Sequence, residues 1–311
     1  ATCYMNSAIQ VLFHTALFRK NVLAYDTGIT NINEITSQDA SNKSKGILFN
    51  LQYLFYQMIE CMKKQSNHEI HNDYISTAPL TKSFGWSKQN TSLQQDVHEF
   101  IINFFEVLDT CTKNSNQVSQ SNIDNSMDNG SITGLFKGRI ITSITNKKDG
   151  KLILHSFENF YDFSLLVKGN NNIYQSLNAF TEKDELKGNS NNQELIQVQF
   201  YSLPKVLHIH LRRFVYSQEH CRTDKVNDYF SFPDDLDMKP YVFNGDPKDS
   251  KKATTNRKKK RTDDENNEEI CPYKGECKYS LYGVIVHQGK MSYVGHYYAY
   301  LKLDPDFNNE N

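Results

Sequence analysis

Apolar positions first recur at helical spacing near the start of the chain. Met5, Ile9, Leu12, Phe13, Ala16 and Leu17 lie three or four residues apart, the period of a helix with one buried face. The pattern predicts one amphipathic helix with Cys3 at or just before its first turn. A polar stretch follows, Thr27 to Lys45. Leu48, Leu51, Leu54, Phe55, Met58, Ile59 and Met62 then predict a second helix. Ser92-Leu93-Gln94-Gln95 has the form of a capping box. It predicts the opening of a third helix with Val97, Phe100, Ile101, Phe104, Phe105 and Leu108 inward.

From about residue 130 the period shortens. Strands are predicted over Gly138 to Ile144, Leu152 to Phe157, Phe160 to Val167, Gln197 to Tyr201 and Val206 to Leu211. A helical piece lies near Ile173 to Phe180. The last strand pair, Ser280 to His287 and His296 to Leu303, is joined by a hairpin loop over Gln288 to Gly295. Asn114 to Asn129 and Asp246 to Glu269 are too polar to bury much surface and read as insertions. The second carries Arg257-Lys258-Lys259-Lys260-Arg261. This run has the form of a nuclear import signal, but reads first as a solvated loop.

Composition narrows the class. The 311 residues are 38% hydrophobic and 23% charged with a formal net charge of −1. That suits a globular protein of one large domain or a few subdomains, and nothing global argues for nucleic acid. No apolar run is long enough to span a membrane. Six cysteines without a dense framework read as reduced thiols. We expect a monomer located in nucleus and cytoplasm. Ala1 lies inside a motif, so the chain reads as a catalytic fragment.

Candidate chemistry starts at Cys3. Backbone N–H groups and the helix dipole at a first turn favour a thiolate. The alternative is a small buried hydrophobe, and a partner histidine decides between them. Ten histidines compete. His208 and His210 share a strand face, a possible metal pair without a third ligand. His68 and His71 lie in a polar connection, and His287 and His296 flank the last hairpin. His296 follows Gly295, where the missing side chain would leave room for a substrate backbone. An imidazole on a strand facing a helix-start thiol is a Cys–His pair that can attack a carbonyl.

These residues carry a family resemblance. Thr2-Cys3-Tyr4-Met5-Asn6-Ser7 resembles the cysteine box of the ubiquitin-specific proteases, and Gln94-Gln95-Asp96-Val97-His98-Glu99-Phe100 their second box. Leu203-Pro204-Lys205-Val206-Leu207 and Leu211-Arg212-Arg213-Phe214 resemble a strand preceding the palm. Tyr282-Gly283-Val284-Ile285-Val286-His287-Gln288-Gly289 and Gly295-His296-Tyr297-Tyr298-Ala299-Tyr300 resemble the histidine box. Four further stretches share a narrower likeness to one member: Leu80 to Trp86, Leu135 to Gly138, Leu207 to Phe214 and Asn227 to Pro233.

The resemblance implies an α+β, papain-like cysteine protease shaped as a right hand. A helical thumb would cover 1–110, β fingers mainly 130–200, and a β-rich palm 201–311 with a disordered insertion at about 246–270. It implies hydrolysis of the isopeptide bond at the ubiquitin C-terminal glycine through a thioester, with Cys3 as nucleophile and His296 as base. Asp96 and Glu99, three apart and read as one polar helix face, would hold the basic ubiquitin tail. Phe214, His287 and Tyr297 would line its channel, and Trp86 would begin a loop that aligns the site. An oxyanion-stabilising Asn is expected upstream of Ala1 and a third triad residue beyond Asn311; Asp304 and Asp306 are not assigned. Relatives with fingers zinc use two Cys-x-x-Cys pairs, which are absent here, and Cys271 and Cys277 are not so spaced. No metal or cofactor is expected. The partners would be ubiquitin and ubiquitinated proteins. Two alternatives stand: a ubiquitin-binding scaffold without activity, and a protease for another ubiquitin-like modifier.

Overall fold

Helix α1 (Cys3–Phe13) opens the chain in the computed structural model, which describes residues 2–29, 40–66, 74–86, 94–113, 131–186, 194–218, 221–245, 275–291 and 294–302. The predicted first helix is in fact two, because the backbone turns at Thr15 before α2 (Ala16–Ala24). The Thr15 hydroxyl donates to the Val11 carbonyl at 3.0 Å, and Arg19 Nη1 to the Phe13 carbonyl at 2.8 Å. Side chains thus satisfy carbonyls that a continuing helix would have used. The turn also moves Leu17 off the buried face, leaving it 42% exposed.

Three more helices follow: α3 (Ala40–Ser66), α4 (Ala78–Ser83) and α5 (Val97–Lys113). The capping-box expectation changes. Ser92 lies outside the described residues, and Asp96 starts α5. Its Oδ1 accepts the His98 N–H at 2.8 Å, and its carbonyl accepts the Phe100 N–H at 3.1 Å. A carboxylate there meets the unpaired donors and positive end of the helix. Asp96 therefore caps the helix, one residue before Val97 begins it.

The strands are β1 (Gly138–Asn146), β2 (Leu152–Phe160) and β3 (Phe163–Leu166) before helix α6 (Ile173–Thr181). Then come β4 (Asp184–Glu185), β5 (Glu194–Ser202), β6 (Ile209–Arg212), β7 (Phe214–Ser217), β8 (Arg222–Lys225) and β9 (Asp235–Asp237). The last three are β10 (Lys278–Ser280), β11 (Gly283–Met291) and β12 (Val294–Leu301). The strand expected over Val206 to Leu211 begins only at Ile209. The closing hairpin is tighter than expected: β11 reaches Met291 and β12 starts at Val294. The two polar insertions lie outside the described residues. Among those described, no helix is long and apolar enough to cross a membrane.

The chain forms two compact units. One comprises residues 1–135, 214–225 and 282–311. Its core contains fully buried Tyr4, Phe13, Phe18, Phe55, Phe104 and Phe105, and each such side chain removed from water contributes roughly 1.5–3 kcal/mol. Its strands form two antiparallel hairpins, β7–β8 and β11–β12. The other unit comprises 136–213 and 226–281. It holds a four-stranded sheet in the order β2-β1-β5-β4, a parallel β3–β6 pair and the β9–β10 pair. Phe160, Phe163, Leu177, Phe200 and Met238 form its core.

Candidate active site

Cys3 is the first residue of α1 and is partly exposed. Thr2 precedes it as N-cap without a side-chain cap hydrogen bond. The first-turn N–H groups therefore stay available to charge developing at the thiol or at a group it attacks. α1 packs against β12, the strand that carries His296. Gly283 on β11 faces α1, where the position of a Cβ would be 3.5 Å from Val11 Cγ1, an ordinary contact. The Tyr282 hydroxyl, 2.8 Å from Thr15 Oγ1, ties the α1–α2 corner to the start of β11.

Tyr297 is the meeting point of the site. It is buried at 4% exposure on β12. Burial raises its phenol above the ordinary range, the Asp96 charge raises it further, and the Val97 N–H opposes this by bonding it. Cys3 adds a smaller upward push. Tyr297, Asp96, the first turn of α5 and Cys3 are thus neighbours, although Cys3 and Tyr297 are far apart in sequence. Across the β11–β12 ladder Tyr297 pairs with His287, their rings 4.7 Å apart. The His287 ring in turn meets Phe214 edge-on at 5.3 Å. Burial, then the charge of Lys225, holds His287 below its ordinary pKa, against an opposing effect of Asp96.

His296 follows Gly295 on β12, pairs with Gln288 and is exposed. Among the described residues no hydrogen bond joins it to Cys3. Catalytic contacts of this kind often tighten only around substrate. The space beside Gly295 is not open to a substrate backbone, as the sequence suggested. A Cβ there would lie 2.3 Å from the Gln288 carbonyl and 2.5 Å from His287 Nε2. The glycine is needed to seat the neighbouring strand and its imidazole.

Glu99 is exposed in the first turn of α5. Trp86 is half-buried, stacked on Phe84 at 4.8 Å and within 6.3 Å of Tyr4 and 6.1 Å of Phe100. The residues immediately after it lie outside the described set. Tyr4, next to Cys3, has its phenol raised to about 12 by burial and by the Cys3 charge. His208 and His210 do not converge on a third ligand. His208 rests on the Phe136 ring at 4.6 Å, and His210 Nδ1 bonds Ser164 Oγ at 2.9 Å. Among the described residues no group of three His, Cys, Asp or Glu could hold a metal ion.

Sequence reasoning missed Lys225. It sits in a short polar strand without periodic signal, and only the fold brings it to His287 at 3.2 Å. It missed Thr15 for a related reason: a hydroxyl inside an apolar period looks like an ordinary helical residue.

Mixed helices and small sheets with a helix-start cysteine packed on a histidine-bearing hairpin define an α+β fold of papain-like type. Among solved structures, the Ubp8 complex described as the SAGA Ubp8/Sgf11/Sus1/Sgf73 DUB module bound to ubiquitin aldehyde shares that fold. The TM-score is 0.67 and identity 21%, over 98% of this chain and 61% of that one. The ubiquitin carboxyl-terminal hydrolase family matches residues 1–310, and the chain belongs to that family, among its ubiquitin-specific proteases. Relatives include ubiquitin carboxyl-terminal hydrolase 5 of Schizosaccharomyces pombe, 30% identical over 98% of this chain and 23% of the relative. Hydrolase 15 of Saccharomyces cerevisiae is 30% identical over 97% of this chain and 21% of its own length. Hydrolase 7 of Drosophila melanogaster is 29% identical over 78% and 19% respectively. The chain thus spans under a quarter of the length of these relatives.

Proposed function

We propose that this chain is a thiol-dependent deubiquitinase that hydrolyses the isopeptide bond between the ubiquitin C-terminal glycine and a lysine amine. Cys3 attacks the glycine carbonyl as thiolate, its proton having passed to His296. His296 returns that proton to the departing amine, and water then resolves the thioester. Asp96 and Glu99 receive the basic tail, while Phe214, His287 and Tyr297 line the channel and Trp86 borders it. Residues 1–110 act as thumb, about 130–200 mainly as fingers and 201–311 as palm. The stretches of narrower likeness, Leu80 to Trp86 among them, support placing the chain nearest the herpesvirus-associated ubiquitin-specific protease. We take the domain to act as a monomer in nucleus and cytoplasm.

The observation that carries this reading is the packing of α1, which begins with Cys3, against β12, which bears His296. The test is hydrolysis of a ubiquitin–lysine isopeptide conjugate. Wild type should release ubiquitin, and Cys3→Ala and His296→Ala should each lose activity by at least a thousandfold while still binding ubiquitin. Binding without cleavage by the wild type would favour a scaffold, and a preference for another modifier would redirect the substrate.

A further inference from the structure

The closing hairpin holds a cation that the chemistry above does not use. Lys225, the last residue of β8, reaches β11 with its ammonium group. Nζ lies 2.7 Å from the His287 carbonyl, 3.0 Å from the Gly289 carbonyl and 3.2 Å from His287 Nδ1. The two carbonyls flank Gln288, the residue paired with His296. Gly289 stands where the ladder shifts register, between Gln288 and Met291, and His287 is the last paired residue before Gln288. A bulge leaves backbone groups unpaired, and here an ammonium supplies donors to the carbonyls on either side of Gln288 and to the ring nitrogen. The Phe214 ring lies 5.9 Å below the same group.

The contact to Nδ1 has a chemical consequence. An ammonium only donates, so Nδ1 must carry its lone pair and the neutral ring must carry its proton on Nε2. No donor competes for the other nitrogen, because Nε2 is buried without a hydrogen-bond partner among the described residues, and the tautomer is set from the Nδ1 side alone. That edge of the ring lies against Gly295, the residue before His296. A run of contacts therefore passes from Lys225 through the imidazole and the bulge carbonyls to the backbone at His296.

We propose that Lys225 is a positioning residue for His296: it fixes His287 as the Nε2–H tautomer and clamps the β11 bulge opposite the catalytic histidine. The inference rests on the deubiquitinase reading for its kinetic consequence, though not for its tautomer. Removing the clamp takes a charged donor from the part-buried His287 and Gly289 carbonyls and frees the imidazole to exchange tautomers. His296 then samples more orientations, which slows the chemical step and leaves tail binding largely intact.

The test uses the domain with nitrogen-labelled histidines and a ubiquitin–coumarin substrate, in wild type, Lys225→Met and Lys225→Arg. The His287 signal is assigned by its loss in His287→Gln. The wild type should show the Nε2–H pattern and Lys225→Met a mixture. In Lys225→Met kcat should fall roughly ten- to hundredfold, the effect of losing hydrogen bonds to a charged group, with KM within about twofold. Lys225→Arg, which keeps cationic donors, should recover most of kcat. An Nδ1–H pattern in the wild type overturns the proposal, even if Lys225→Met does not fold. An unchanged tautomer with unchanged kcat in Lys225→Met also overturns it, and so does a raised KM at constant kcat. If the wild type fails to cleave the substrate, the deubiquitinase reading falls, and the tautomer comparison alone decides the role of Lys225.

Discussion

Asp96 performs two tasks, and their separation is measurable. Its carboxylate caps α5 through the His98 N–H at 2.8 Å, and its charge acts on Tyr297 and His287. Asp96→Ala should lower unfolding free energy by about 1 kcal/mol, the usual worth of an N-cap. Asp96→Asn should restore most of that stability, because an amide oxygen still accepts the N–H. Both changes should reduce kcat/KM for ubiquitin substrates by about ten- to hundredfold if the charge holds the tail. Glu99→Ala should show the kinetic loss with stability changed by less than about 1 kcal/mol, since Glu99 is exposed and its remaining contribution is to the helix dipole. Denaturant unfolding and full-length ubiquitin kinetics on all three variants check this. Equal stability in Asp96→Ala and wild type would refute the capping role, and unchanged kinetics throughout would make both carboxylates a solvated helix start.

At the scale of elements, the sequence showed helices and strands more reliably than it showed where they stop. The apolar period of α3 and α5 survives into the fold because long helices average over single residues. The break at Thr15 was hidden because a hydroxyl that bonds Val11 and Tyr282 looks the same in sequence as one facing water. The strand before Ile209 was overread for a similar reason. Alternating Val206, His208 and His210 fit a strand, but His208 is packed on Phe136 ahead of β6. Burial pushes His208 down to about 4, with Asp162 opposing. The unfolded chain takes up that proton near the ordinary value of about 6.5, while the folded chain does not until about 4. Stability from this site is therefore complete above about pH 6.5 and is lost as pH falls toward 4, by up to about 3 kcal/mol. His208→Gln should flatten the fall in unfolding free energy between pH 6.5 and 4 relative to wild type. Parallel pH curves for the two proteins would show that the histidine is not held neutral.

For the whole molecule, the candidate site is built from distant parts of the chain. Residues 1–135 share a compact unit with 214–225 and 282–311, so Cys3, Asp96, Phe214, Lys225, His287 and His296 fold into one body. Motif resemblance in the sequence found most of these positions. It did not find Lys225, because a lysine in a four-residue polar strand acquires meaning only when β8 is laid beside β11. Nor could spacing reveal that Gly295 is filled by His287 and Gln288. The central claim is that Cys3 is the nucleophile of a ubiquitin hydrolase. The most direct measurement is the reaction of the domain with ubiquitin carrying a C-terminal electrophile, followed by peptide mapping of the adduct. A single adduct on Cys3 that disappears in Cys3→Ala is the predicted result, and an adduct on Cys61 or Cys111 that persists in Cys3→Ala would contradict it.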